Sequence, residues 1–307
     1  MSFGRAIILK TAALKPIERL VRRSFLFRGV VKRFIAGDTL AEAMQVAEEL
    51  AARGMNISLD YLGENTTKRE EAEQATSMFM EIVRAIAASP HRDKINISIK
   101  LTQCGLDIDP AWAEDNYRRL LWLAAESNTF VRVDMESTDY TERTVSLIER
   151  VFQDFKNTGT VLQSYLKRSM DDTRRMITLG ARVRVVKGAY LEPEQLTVPD
   201  KAATDRQYVE MAKLLMQEGN YPAIATHDEK IILELKQWAA EQGIGKEKFE
   251  WQMLYGIRRD LQSSLHEEGY NVRVYIPFGD SWYPYFTRRL AERPANMWFI
   301  VKAMFRK

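Results

Sequence analysis

The run INISIKL, residues 95–101, followed after a helical stretch by FVRVDM, residues 130–135, has the composition and length of short buried or half-buried strands. Working outward, similar runs recur as NISLDYL (56–62), TVLQSY (160–165), RVRVVK (182–187), AIAT (223–226), FEWQM (249–253) and VRVYI (272–276), eight in all. Helix signals fill the gaps between them. Thr67–Glu70 and Ser169–Asp172 read as capping boxes, Asp109 precedes Pro110 at a first turn, and Gly180, Gly219, Gly243 and Gly269 read as stops. The segment Asp38–Arg53, with a Thr39–Glu42 box and a Gly54 stop, leads into the first strand. Eight strands alternating with helices predict an α/β fold, a parallel sheet closed as a (β/α)8 barrel with an N-terminal helical arm. Such barrels need about 250 residues. The expected division is therefore N-terminal helices over 1–54 and a catalytic barrel over 55–307. An open doubly wound sheet would carry a glycine-rich turn after its first strand. The only Gly-x-Gly, Gly243–Gly245, follows a helix and reads as a stop and turn.

Charge and composition narrow the function classes. Lys and Arg number 45 against 42 Asp and Glu, a net charge of +3, so no nucleic-acid surface is expected. A lone cysteine, Cys104, fits a reducing compartment, and the expected location is cytoplasmic. No P-loop or Gly-x-Ser-x-Gly elbow occurs, and His91, His227 and His266 are too dispersed to predict a metal site. The first 33 residues stand apart: Arg5, Lys10, Lys15, Arg19, Arg22, Arg23, Arg28, Lys32 and Arg33 face one acid, Glu18. Lys10 and Lys15 interrupt any secretory core, and no membrane span follows. A helical arm packed on the barrel is the plainer reading, and peripheral contact with the inner face of a membrane the sharper one.

In a barrel of this kind chemistry sits at the carboxyl ends of the strands. Lys100, Asp134, Gln163, Arg184, Lys187, His227 and Tyr275 all fall at or near such ends. Each has a structural alternative, since interior ion pairs can join Lys and Asp across a barrel. Their number is the argument, because so many polar groups at one rim are costly unless ligands or partners satisfy them. Arg184 sits mid-strand among valines, and if it faces inward its charge needs a partner, either a bound cofactor or Asp134. After the last run, the adjacent Arg288 and Arg289 form two guanidinium forks suited to a small carboxylate.

The ordered motifs ISIKLT, VRVDME, VLQSYLKRS, VRVVKGAYLE, ATHDE, WQMLYGIR and VYIPFGDSWYPYFTRRLAERPANMWF resemble those of the proline dehydrogenase family, from about Phe34 to the C-terminus. The resemblance implies FAD as cofactor and L-proline as substrate, with pyrroline-5-carboxylate as product. It further implies a quinone electron acceptor and a downstream pyrroline-5-carboxylate dehydrogenase. With no aldehyde dehydrogenase module in the chain, the monofunctional form is expected. Carried over by position, Lys100, Arg288 and Arg289 would hold the substrate carboxylate, Leu254 would line the pocket, and Glu292 would pair with the arginines. Tyr275 would pack beside the pyrrolidine ring; relatives tuned for hydroxyproline carry a small residue there, so proline is the implied substrate. Asp134, Met135, Gln163, Arg184, Lys187, Gly188 and Ala189 would surround the flavin, with Arg184 near its N5 atom. Thr226 and His227 would reach its ribityl, phosphate or adenosine part. Tyr190 and Leu191 open a loop containing Pro193 and Pro199 that would cover it, and Leu191 stands where some relatives carry an aromatic. Two other readings are a Schiff-base aldolase using Lys100 or Lys187, and a membrane-binding module in which the barrel is only a scaffold.

Overall fold

All eight runs are strands in the computed structural model, which describes residues 25–63 and 66–292. They are β1 (Asn56–Tyr61), β2 (Ile95–Ile99), β3 (Val131–Val133), β4 (Thr158–Gln163), β5 (Arg182–Val186), β6 (Ala223–Ala225), β7 (Glu250–Leu254) and β8 (Asn271–Phe278). Each pairs in parallel with the next, and β8 closes on β1 with Ser58 opposite Tyr275 and Asp60 opposite Pro277. Helices α1 (Phe25–Phe34) and α2 (Leu40–Ala52) precede the barrel. After the successive strands come α3 (Arg69–Ala88), α4 (Pro110–Glu126), α5 (Thr138–Val151), α6 (Ser169–Leu179), α7 (Lys201–Glu218), α8 (Glu229–Glu241), α9 (Arg259–Glu267) and α10 (Tyr283–Glu292).

Local sequence explains most helix ends. Thr39 and Glu42 form a reciprocal box at the start of α2, and Asp109 accepts from the Ala111 and Trp112 amides ahead of α4. Two expected boxes are corrected. Helix α3 begins after Lys68, which makes no side-chain cap, so the Thr67–Glu70 box does not form. The cap of α6 is Arg168, and the hydroxyl of Ser169 donates instead to the carbonyl of Gln163.

Alternation along the strands divides the core into two zones. Ile57, Leu59, Ile97, Ile99, Val131, Val133, Val183, Val185, Val274 and Ile276 are buried and join the apolar layer under the helices. The intervening residues, among them Ser58, Asp60, Ser98, Arg132, Arg184, Gln252 and Arg273, are buried too. Hydrogen bonds across the barrel, such as those from Arg184 on β5 to Ser98 on β2, Gln252 on β7 and Asp134 just after β3, place this second set in the lumen. Barrel interiors are commonly filled with layers of bulky apolar side chains. This one is filled with hydrogen-bonding groups, and each of them must find a partner there.

The end of α1 lies against the carboxyl-end rim. Phe34 and Ile35 pack with Leu62, Trp282, Tyr283, Tyr285 and Phe286 in a second apolar cluster. Arg33 donates to the carbonyl of Gly256 in the loop after β7 (3.3 Å). Gly256 has φ +76°, and a Cβ there would meet the Arg33 carbonyl oxygen at 1.7 Å, so only glycine permits this approach. The basic positions from Arg5 to Arg23 lie outside the described residues. Among those described, no helix is long and apolar enough to cross a membrane.

Candidate active site

The strand-end residues converge on one network. Arg184 on β5 donates from Nη1 to Asp134 Oδ1 (2.6 Å), from Nη2 to Ser98 Oγ (3.1 Å) and from Nε to Gln252 Oε1. Tyr275 on β8 donates its hydroxyl to the other oxygen of Asp134 (2.6 Å), and the Arg184 guanidinium lies over the Tyr275 ring, 5.1 Å from its centroid. Burial, reinforced by the Asp134 and Asp60 carboxylates, pushes the phenol well above its ordinary range, so Tyr275 stays a donor. Of the two partners open to Arg184 on sequence grounds, the structure supplies the carboxylate. Asp134 is thereby the joint that holds an arginine and a tyrosine at fixed positions.

Lys100 follows β2 and is buried, with Nζ 3.2 Å from Asp60 Oδ1 on β1. Burial alone would lower its ammonium, but Asp60, aided by Asp134, outweighs that and holds the proton above the usual lysine range. Schiff-base chemistry requires a neutral amine. Lys100 is paired with Asp60, and Lys187 is held between Asp205 (2.6 Å) and Asp228 (3.1 Å); both arrangements favour the charged ammonium, so the aldolase reading finds no support.

Around the rim, Gln163 at the end of β4 donates to the Glu136 carbonyl (3.2 Å), while its buried Oε1 meets no donor among the described residues. Thr226 Oγ1 accepts the Asp228 amide (3.1 Å), which links the end of β6 to the Lys187 cluster. His227 Nε2 accepts the Leu254 amide (3.0 Å), joining β6 to β7 where the half-buried Leu254 side chain ends the strand. Met135 is buried beside Asp134, and Gly188 and Ala189 begin the loop after β5. Glu192 in that loop accepts from the Thr138 amide at the start of α5 (3.0 Å) and from the Tyr165 hydroxyl (3.3 Å), which pins the loop. Leu191 beside it is 63% exposed.

Gly188 has φ +115°, and an added Cβ would lie 2.2 Å from the Tyr165 ring. Gly188→Ala is therefore expected to cost about 1–3 kcal/mol through backbone strain and displacement of that ring. Chemical denaturation measures it, and an unchanged midpoint would show that the loop relaxes freely.

Arg288 and Arg289 are half-buried on α10, which follows the carboxyl end of β8, the same end of the barrel as Lys100. The Arg289 guanidinium sits 5.2 Å from the Tyr285 ring centroid. Glu292 closes α10, and its side chain lies outside the described residues. Sequence reasoning missed Asp60, Ser98 and Gln252. For Ser98 and Gln252 a signal existed: each lies two residues before a candidate position (Lys100, Leu254) and so shares its face.

The family model described as proline dehydrogenase matches residues 43–302. Proline dehydrogenase 1 of Bacillus subtilis (strain 168) is 41% identical over 276 residues, 90% of this chain and 91% of that protein. The proline dehydrogenase of Deinococcus radiodurans is 39% identical over 98% of both chains. Among solved structures, proline utilization A from Bdellovibrio bacteriovorus, inactivated by N-propargylglycine, superposes with a TM-score of 0.81 at 25% identity. That match covers 94% of this chain and 36% of the longer protein. Motifs, barrel and near full-length alignment agree, and the chain belongs to the proline dehydrogenase family.

Proposed function

We propose that this enzyme oxidises L-proline to pyrroline-5-carboxylate with FAD as cofactor. The observation that carries the reading is the buried Lys100, ion-paired with Asp60 at the mouth of a polar lumen, at the same end of the barrel as Arg288 and Arg289. The described residues fit a flavin: Gln163 Oε1 is a buried acceptor in need of a donor, and a flavin ring N–H is one. When bound, the flavin would supply a hydride acceptor at N5 for the ring carbon beside the nitrogen that does not carry the carboxylate, and loss of the N–H proton to solvent would turn the resulting iminium into the cyclic imine. The protein's own share is placement. Lys100, Arg288 and Arg289 are proposed to hold the carboxylate, fixing one end of a small rigid ring, while Leu254 and Tyr275 bound the other. Asp134 keeps Tyr275 and Arg184 in register, and Arg184 puts positive charge where the cofactor gains electrons. Met135, Lys187, Gly188, Ala189, Thr226 and His227 are the proposed remaining cofactor contacts. A quinone is the proposed electron acceptor, reached by peripheral membrane contact, and a pyrroline-5-carboxylate dehydrogenase the consumer of the product.

The direct test is the visible spectrum of the purified protein. A yellow chromophore bleached by L-proline without oxygen is expected; a colourless protein, or colour indifferent to proline, overturns the reading.

Substrate choice is expected to turn on Tyr275. Its hydroxyl is held by Asp134 and its ring face is covered by Arg184, which resists a swing that would make room for a ring hydroxyl. Tyr275→Ser should raise the kcat/KM ratio of hydroxyproline to proline by about tenfold, the scale of one added polar group in a pocket. An unaltered ratio would remove Tyr275 from the pocket wall.

A further inference from the structure

The hydrogen-bonded lumen continues below the substrate level, to groups that neither the motifs nor the comparisons assign. Gln252 on β7, whose oxygen accepts from Arg184 Nε, donates through Nε2 to Glu250 on the same strand. Glu250 in turn accepts from Arg273 Nε on β8 (2.8 Å). Arg273 Nη1 is anchored on the carbonyls of Ile57 (2.6 Å) and Lys94 (3.1 Å). The whole chain is out of water: Arg184 is 5% exposed, Gln252 3%, Glu250 2% and Arg273 9%.

A carboxamide has a donor end and an acceptor end of nearly the same shape, and a half-turn exchanges them. Here the choice is forced from below. Burial disfavours a charged Glu250, but Arg273, together with the Gln252 hydrogen bond and Arg132, outweighs it and holds its carboxyl below the usual range. An ionised carboxylate only accepts, so it takes the NH2 end of Gln252 and leaves the oxygen to face Arg184. With the amide turned over, an N–H would face an N–H.

We propose that Gln252 is a positioning residue for the Arg184 guanidinium, and that the Glu250–Arg273 ion pair sets which end of its amide faces that group. Asp134 and Ser98 take Nη1 and Nη2, but two contacts at one end of a planar fork still allow it to pivot. Gln252 closes the opposite edge. The inference rests on the proposed placement of Arg184 beside the flavin, and extends it to the residues that orient that charge.

The test is a double-mutant cycle on the flavin-loaded enzyme, using Gln252→Met, close in volume but without the carboxamide, and Arg184→Lys, which keeps charge but loses the fork. In the parent, Gln252→Met should lower kcat about tenfold, leave KM for proline within about twofold, and move the flavin midpoint potential to more negative values. In the Arg184→Lys background the same substitution should change kcat by less than about twofold. The melting temperature of each protein is measured alongside. An equal loss in both backgrounds, or a melting shift with potential and kcat unmoved, overturns the inference. Should Gln252→Met fold poorly, Gln252→Leu is read in the same cycle. If Arg184→Lys alters the potential and Gln252→Met does not, only the positioning role falls. If Arg184→Lys itself leaves the potential unchanged, the placement of Arg184 fails, and this inference with it.

Discussion

Replacing Arg184 with alanine should destabilise the barrel by about 3–5 kcal/mol, the usual consequence of removing one partner of a buried ion pair. The reason lies in what the substitution leaves behind. Asp134 would keep only the Tyr275 hydroxyl among the contacts described above, with 13% of its side chain exposed to water. Gln252 Oε1 would lose its Arg184 donor at the same moment, and Ser98 Oγ one of its two partners, keeping the Ser58 hydroxyl. In a chain of this length a loss of that size lowers the melting temperature by roughly five to eight degrees, which scanning calorimetry resolves. A second substitution separates charge from packing. With Asp134→Asn added, the stranded charge is gone and part of the loss should be recovered. A melting temperature within about two degrees of the parent in Arg184→Ala would mean that water or a neighbouring cation replaces the guanidinium. Flavin retention, read as yellow colour surviving gel filtration, should fall in the same protein.

Arg289→Met is expected to act on proline rather than on the fold. The side chain is half-buried with its guanidinium against the Tyr285 ring, and methionine preserves the apolar stem of that contact. What disappears is one fork of the proposed carboxylate clamp. Leaving a substrate charge under-paired in a desolvated pocket costs about 2–4 kcal/mol of transition-state binding, so kcat/KM should drop roughly 30- to 700-fold. Steady-state kinetics with L-proline checks this. Unchanged efficiency would take Arg289 out of the clamp, and the carboxylate would then fall to Lys100 and Arg288.

Residues that read correctly in the sequence did so for local reasons. The eight strands were legible because β-rich runs such as INISIKL and RVRVVK carry their signal within a few neighbours. The Thr39 box and the Asp109 cap were legible because the side chain and the amides it caps are three residues apart or fewer. Ser169 misled because its hydroxyl had another acceptor, the carbonyl of Gln163, brought within reach only by the turn after β4. Asp60 was missed for the same reason on a larger scale: its partner Lys100 is forty positions away, and the pairing of β1 with β2 brings them together.

The chain alone therefore determined the number of strands, the closed α/β barrel and the family, since these rest on patterns and motifs contiguous along it. Tertiary structure alone decided who partners whom across the lumen: Lys100 with Asp60, and Arg184 with Asp134, Ser98 and Gln252. Residues on neighbouring or opposite walls of a barrel are brought together by its pairing, shear and closure, and no local pattern records which acceptor a buried cation will meet.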